Sequence, residues 1–258
     1  MIRLNKGKVL KTKTPCPVYE EYLHLLTSNP GIRHAYQTLL SSFYIQESAR
    51  PLKTFLVTST QPEEGKTTVS VNLALIAMLT GKKVLLVDAD LRRPRVHEIF
   101  RMDNKIGLGD LLTGTVDIHD SIQVVPIAHE GSRDAQTVSV ITSGTASLTS
   151  TMLAMCSPKL KEVLAHVADR FDLVFLDSPP VLSVTDPLLL APIVDGIVMV
   201  VATGCVTEMD AKRAKERLEQ AGGHVLGVAL NRYDERLYGP GFHPYSTYLD
   251  GAEQRHGS

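Results

Sequence analysis

The chain has 258 residues, a formal net charge of −1, 43% hydrophobic residues and three cysteines. This length is ample for one α/β core, and the nearly balanced charge excludes a general affinity for nucleic acid or for membrane surfaces. Cys16, Cys156 and Cys205 are odd in number and lack metal-ligand spacing, so we expect ordinary thiols in a reducing compartment.

Neither a membrane span nor a secretory signal is predicted. The longest apolar stretch, residues 188–202, contains Pro192 and Asp195 and is shorter than the roughly 20 residues that a spanning helix needs. The first residues never reach an apolar core, so we expect a cytoplasmic protein. Residues 1–48 are predicted to form an N-terminal arm and a helix. The basic stretch at residues 3–13 has no amphipathic pattern, which indicates a solvated arm rather than a lipid-binding segment.

A phosphate-binding loop is predicted between a strand at residues 53–59 and a helix at residues 65–80. The loop ends in Gly65-Lys66-Thr67. A loop that closes on a helix N-terminus directs unpaired backbone N–H groups and the positive end of the helix dipole at phosphate. Gly65 allows close approach of the backbone, Lys66 places a charge on the β- and γ-phosphates, and the Thr67 hydroxyl can ligate Mg²⁺.

Acidic residues follow two further predicted strands. Asp88 comes after the strand at residues 83–87 and Asp177 after the strand at residues 173–176, each behind four apolar residues. Asp90 lies two residues beyond Asp88. Since ligands of open α/β sheets bind at the carboxyl ends of the strands, these carboxylates are expected beside the phosphate loop. Together the three segments indicate nucleotide hydrolysis or transfer.

The remaining elements alternate between strand and helix. Apolar runs and helical periods predict strands at 122–125 or 138–142, at 196–202 and at 224–230, and helices at 158–170 and 208–221. Ser157 and Thr207 are the expected N-caps of the two helices. This pattern predicts an α/β fold, P-loop NTPase-like, with a mostly parallel sheet and helices on both faces, over residues 49–232.

Residues 233–258 are predicted to be a flexible tail that contains tyrosines. Four of the eight tyrosines fall between Tyr233 and Tyr248, where glycine, proline and histidine interrupt any period. Tyr233 is expected to close the last strand. Tyr238 either packs locally or is free like Tyr245 and Tyr248.

Taken together, the segments resemble the bacterial tyrosine autokinases of polysaccharide assembly, the BY-kinases. The resemblance covers about residues 33–232. It is carried by the phosphate loop (58–67), a second Walker-type box (88–94), the short helix after it (106–114), a third box (171–187) and the segments 191–196 and 225–232.

The resemblance implies an ATP-dependent protein-tyrosine autokinase that regulates exopolysaccharide or capsule synthesis and export, with ATP and Mg²⁺ as cofactors. It implies that Tyr238, Tyr245 and Tyr248 are the phosphoacceptors and that Asp88 accepts or orients the proton of the incoming tyrosine. The predicted catalytic residues are Lys66, Asp88 and Asp90, and the predicted metal-associated residues are Thr67, Asp90 and Asp177. The predicted nucleotide-binding residues are Gln61, Pro62, Glu63, Glu64, Gly65, Lys66, Thr67, Thr68 and Asn231.

Partners also follow from the resemblance. Many relatives are fused to a membrane-embedded activator, so a separate transmembrane activator, or chain-length-determinant protein, is expected here. It would recruit the kinase to the inner face of the cell membrane. Self-association and a cognate tyrosine phosphatase are further expected partners, and no nucleic acid is expected.

Several positions depart from the family pattern or leave alternatives open. Glu63 stands where Gly, Asn or Asp is more usual, and the segment at residues 34–40 lacks the three charges that join relatives into a ring. Asn231 either reads the adenine edge or ends the strand in a turn, and one of Asp88 and Asp90 can be structural instead of catalytic. The alternative functions are a nucleotide-binding switch ATPase and a non-catalytic regulator of a polysaccharide assembly complex.

Overall fold

The computed structural model describes residues 18–45, 51–128 and 136–233. Its strands form one sheet in the order β3-β4-β2-β5-β1-β6-β7. Within the described residues, every neighbouring pair is parallel except β3 and β4, which are antiparallel. The strands are β1 (Thr54–Ser59), β2 (Val84–Asp88), β3 (Gln123–Ile127), β4 (Gln136–Ile141), β5 (Leu173–Asp177), β6 (Gly196–Ala202) and β7 (Val225–Asn231).

This arrangement confirms the predicted mostly parallel α/β sheet and corrects one detail. Residues 122–125 and 138–142 were alternatives for a single strand, but both regions form strands, β3 and β4, which pair with each other. The short β3 is half exposed because it lies at the edge of the sheet, so its apolar pattern is weak.

Helices cover both faces of the sheet, which explains why β1, β2, β5 and β6 are buried along their whole length. The described helices are α1 (Val18–Ser28), α2 (Pro30–Ile45), α3 (Lys66–Leu79), α4 (Val96–Phe100), α5 (Leu108–Thr113), α6 (Ile118–Ser121), α7 (Leu148–Met155), α8 (Pro158–Arg170), α9 (Asp186–Leu190) and α10 (Glu208–Gln220), with a 3₁₀ turn at Ala191–Ile193. None of these described helices is long and apolar enough to cross a membrane.

Local sequence accounts for the ends of the predicted helices. The Ser157 hydroxyl accepts a hydrogen bond from the Lys159 amide (3.3 Å) at the start of α8, and the Thr207 hydroxyl accepts one from the Asp210 amide (3.1 Å) at the start of α10. Gly222 follows α10 with φ of 88°, the left-handed conformation that glycine allows.

Two N-terminal helices pack on the same face of the sheet as α3. The sequence predicted one helix here; α1 was missed, and α2 contains the segment at residues 34–40. The Phe43 ring stacks on Phe55 of β1 with 4.6 Å between centroids. The Asn72 amide of α3 donates to the Tyr36 hydroxyl of α2 at 2.9 Å. These contacts join residues 18–45 to the core of the sheet.

Candidate active site

The loop between β1 and α3 ends at the N-terminus of α3, a helix of 14 residues. Gly65, which precedes the helix, has φ of 93°, and a Cβ on it would collide with the Asn231 side chain. Only glycine therefore fits this position. Glu63 also has a left-handed φ, 65°, although it carries a Cβ. The loop thus has the backbone form expected for phosphate binding, with one unusual residue in it.

The first helical residues meet the carboxylate that ends β5. The Thr67 hydroxyl donates to Asp177 Oδ2 at 2.7 Å, and the Ser70 hydroxyl donates to Asp177 Oδ1 at 3.2 Å. Burial raises the pKa of Asp177 to about 6, although Lys66 and the two hydroxyls act in the opposite direction. Ser70 was not predicted as a site residue; its position three residues after Thr67 on the same helix face was the available signal.

The side chain of Lys66 connects the phosphate loop to the second Walker-type box (88–94). Its ammonium lies 2.9 Å from Asp90 Oδ2, and both side chains are largely buried. Burial lowers the pKa of Lys66, but the carboxylates of Asp177 and Asp90 raise it by more, so the net shift is upward and the lysine stays charged. The predicted proximity of Lys66 to the carboxylates is therefore seen in the structure.

Asp88 is fully buried at the end of β2, where it neighbours Asp177 across the sheet. Asp88 Oδ2 accepts hydrogen bonds from the amides of Arg95 (3.1 Å) and Val96 (3.0 Å), and Oδ1 accepts one from the Asp90 amide (3.2 Å). Burial and the Asp177 carboxylate raise the pKa of Asp88. Its oxygens thus fix the turn that leads into α4.

The side chains of Glu64 and Asn231 point to the protein rather than to open space. Glu64 is 1% exposed and accepts hydrogen bonds from the amides of Gln61 and Ala202, the latter at 3.0 Å. The Asn231 amide nitrogen donates to the Glu64 carbonyl at 2.8 Å, and its Oδ1 accepts from the Arg232 amide at 2.9 Å. Asn231 therefore supports the loop in this structure, and its contact with adenine stays a prediction.

Arg92, left unassigned by the sequence, joins the second and third boxes. Its Nε and Nη2 donate to the two carboxylate oxygens of Asp186 at 3.0 and 3.2 Å. Asp186 is fully buried at the start of α9, whereas Arg92 is partly exposed. This bidentate pair connects the segment after β2 to the segment after β5.

The chemistry of these side chains fits a magnesium–nucleotide complex. A hydroxyl and carboxylates supply hard oxygen ligands, and Lys66 together with the helix N-terminus supplies positive charge for phosphate. Gln61, Pro62 and Thr68 lie in the loop and the first turn of α3, as the sequence placed them. Tyr238, Tyr245 and Tyr248 lie outside the described residues.

Fold and site together define a P-loop nucleotide-binding protein. The model of a family described as an AAA domain matches residues 57–207. The chain is 34% identical over 196 residues to the tyrosine-protein kinase YwqD of Bacillus subtilis, covering 76% of this chain and 79% of the relative. It is 35% identical over 191 residues to the tyrosine-protein kinase CpsD of Streptococcus pneumoniae, covering 74% and 80%. The chain belongs to the bacterial tyrosine kinase family.

Solved structures agree with this assignment. The kinase domain of the Escherichia coli tyrosine kinase ETK superposes with a TM-score of 0.72 at 27% identity, covering 89% of this chain and 87% of that chain. The septum site-determining protein MinD of Pyrococcus horikoshii, complexed with Mg-ADP, gives a TM-score of 0.57 at 25% identity, covering 71% of each chain. The P-loop NTPase-like fold predicted from the sequence is confirmed.

Proposed function

We propose that this protein is an ATP- and magnesium-dependent protein-tyrosine autokinase that phosphorylates its own C-terminal tail and thereby regulates exopolysaccharide or capsule synthesis and export. One observation carries the proposal. Lys66, Thr67 and the carboxylates of Asp90 and Asp177 converge at the N-terminus of α3, where a nucleotide's phosphates would bind.

Each of these groups has a proposed role in holding the nucleotide or the metal. Lys66 would hold the β- and γ-phosphates, and Thr67, Asp90 and Asp177 would hold the metal directly or through water. Magnesium, when bound, would neutralise charge on the transferring phosphoryl group. The protein's own contribution is to position the phosphates and keep Lys66 charged.

Asp88 is the proposed acceptor of the tyrosine proton, and its upward-shifted pKa suits a general base. Its three backbone hydrogen bonds favour the alternative, in which Asp88 is structural and Asp90 is the carboxylate that faces the substrate. Normal autophosphorylation by an Asp88→Asn protein would remove Asp88 from the mechanism.

The proposed acceptors are Tyr238, Tyr245 and Tyr248. They follow β7, whose last residue, Asn231, contacts the phosphate loop, so the tail begins beside the proposed site. Recruitment to the inner face of the membrane by a transmembrane activator, self-association and a cognate phosphatase belong to the same proposal and rest on the family membership.

Transfer of radiolabelled γ-phosphate tests the function. The expected result is label that stays on the protein, with phosphate found at Tyr238, Tyr245 or Tyr248 by mass spectrometry. Label released only as inorganic phosphate would instead indicate a switch ATPase. If label is neither transferred to the protein nor released as inorganic phosphate, the result would indicate a non-catalytic regulator.

A further inference from the structure

Glu63 adopts a backbone conformation that its side chain disfavours. Its φ of 65° lies in the left-handed region, which costs a residue with a Cβ roughly 1–2 kcal/mol relative to glycine. Glu63 is exposed, so burial of its side chain does not impose this conformation. Contacts of the loop backbone must therefore hold it.

The end of β7 supplies such contacts from 169 residues away. Arg232 Nη2 donates to the Glu63 carbonyl oxygen at 2.6 Å, and Asn231 Nδ2 donates to the next carbonyl, that of Glu64, at 2.8 Å. The Asn231 carbonyl in turn accepts from the Thr203 amide at 2.9 Å, which ties this end of β7 to the turn after β6. Two successive residues thus hold two successive carbonyls of the phosphate loop.

We propose that Arg232 is a positioning residue for the phosphate loop, and that this chain needs it because Glu63 occupies a left-handed position. The inference rests on the proposed binding of nucleotide at this loop. Arg232 directly precedes the tail, so the residue next to the tail also holds the backbone that would receive the phosphates.

Arg232 would affect nucleotide binding by changing the fraction of molecules whose phosphate loop has the binding conformation. When a ligand binds only one loop conformation, its apparent affinity is the intrinsic affinity multiplied by the fraction of molecules that have this conformation. Without Arg232, the strained Glu63 is free to leave the left-handed region, and the loop amides lose their common direction. With glycine at position 63, the left-handed conformation costs nothing, and the contact of Arg232 becomes dispensable.

A double-mutant cycle on Mg-ATP affinity, measured by calorimetry, tests this dependence. Arg232→Ala should weaken binding about tenfold, equivalent to a competent fraction of about one tenth. In a Glu63→Gly background the same change should have less than a twofold effect. Glu63→Gln removes the charge but keeps the Cβ, so the loss of about tenfold should persist in that background. Arg213→Ala, at an exposed position of α10, is the matched control for the loss of an arginine.

Each outcome has one meaning. A loss of equal size in all three backgrounds would overturn the inference, because Arg232 would then act on the nucleotide itself. A loss that disappears in Glu63→Gln would also overturn it, since charge pairing rather than backbone strain would be responsible. No loss in the parent background would refute it outright. If the unmodified protein binds no Mg-ATP, it is the proposed function that fails. Thermal melting of every variant shows whether unfolding contributes.

Discussion

The Lys66 ammonium and the Asp90 carboxylate form an ion pair at 2.9 Å, with side-chain exposures of 15% and 4%. Since the pair is largely removed from water, it holds the lysine at the proposed phosphate site before nucleotide arrives. The lysine side chain is therefore already in place when nucleotide binds.

Asp90→Asn should lower the rate of autophosphorylation about a hundredfold, because it removes both a proposed metal-associated carboxylate and the partner of Lys66. Asp103→Asn is the matched control, since Asp103 pairs with Lys105 at 2.8 Å on the exposed surface. Its rate should equal that of the unmodified protein. Equal rates for both variants would contradict the assignment of Asp90.

Thr67→Ala should remove the hydroxyl that donates to Asp177 and reduce magnesium-dependent nucleotide affinity about tenfold or more. Thr67→Ser keeps the hydroxyl and should retain most of the affinity. The comparison by calorimetry separates the hydroxyl from the loss of bulk. A Ser variant as weak as the Ala variant would exclude a ligand role for the hydroxyl.

The pH dependence of binding follows from Asp177, whose pKa burial raises to about 6. The carboxylate is protonated below this pH and ionised above it, and only the ionised form attracts a cation. Magnesium-dependent affinity for ATP should therefore fall about tenfold from pH 7 to pH 5. Binding measured with a chelator should lack this decrease. An affinity that is flat over this range would contradict the predicted part of Asp177.

The same shift has a consequence for stability without ligand. Because the folded state keeps a proton on Asp177 at pH values where the unfolded chain has lost it, this group's contribution to the free energy of unfolding falls as pH rises from about 4 to about 6. Asp177→Asn should remove that part of the pH dependence in denaturant titrations. If the free energy of unfolding depends on pH in the same way with and without Asp177→Asn, the raised pKa of Asp177 would be contradicted.

Arg92→Ala should lower the free energy of unfolding by about 2 kcal/mol, because it leaves the fully buried Asp186 carboxylate without its bidentate partner. Lys105→Ala breaks an exposed pair that water and salt screen, so it should lower the free energy of unfolding much less. Urea titrations of both variants measure the difference. Equal costs would show that the buried position of Asp186 contributes nothing.

The sequence predicted the parts of the fold that depend on local pattern. Continuous apolar runs identified the four central strands, and the acidic residues after two of them placed Asp88 and Asp177 side by side, as the structure has them. Cap residues such as Ser157 and Thr207 located helix starts to the residue. These features were predictable because a parallel sheet under helices imposes them locally.

The features that were missed depend on distant parts of the chain. The contact of Arg232 with Glu63 joins residues far apart in sequence, and no local pattern announces it. The inward position of Glu64 depends on the amide of Ala202, which only the folded sheet brings close. The helix α1 packs against α2 and α3, and its Leu23 and Leu26 are buried in the core that these helices share.

Calorimetric titration of the purified protein with ATP, in the presence of magnesium and then of a chelator, tests the central claim most directly. The claim is that Lys66, Thr67 and the strand-end carboxylates form one magnesium–ATP site. It predicts saturable binding at one site per chain that weakens strongly without magnesium and is lost in Lys66→Ala. Absence of magnesium-dependent binding, or binding that Lys66→Ala leaves unchanged, would contradict it.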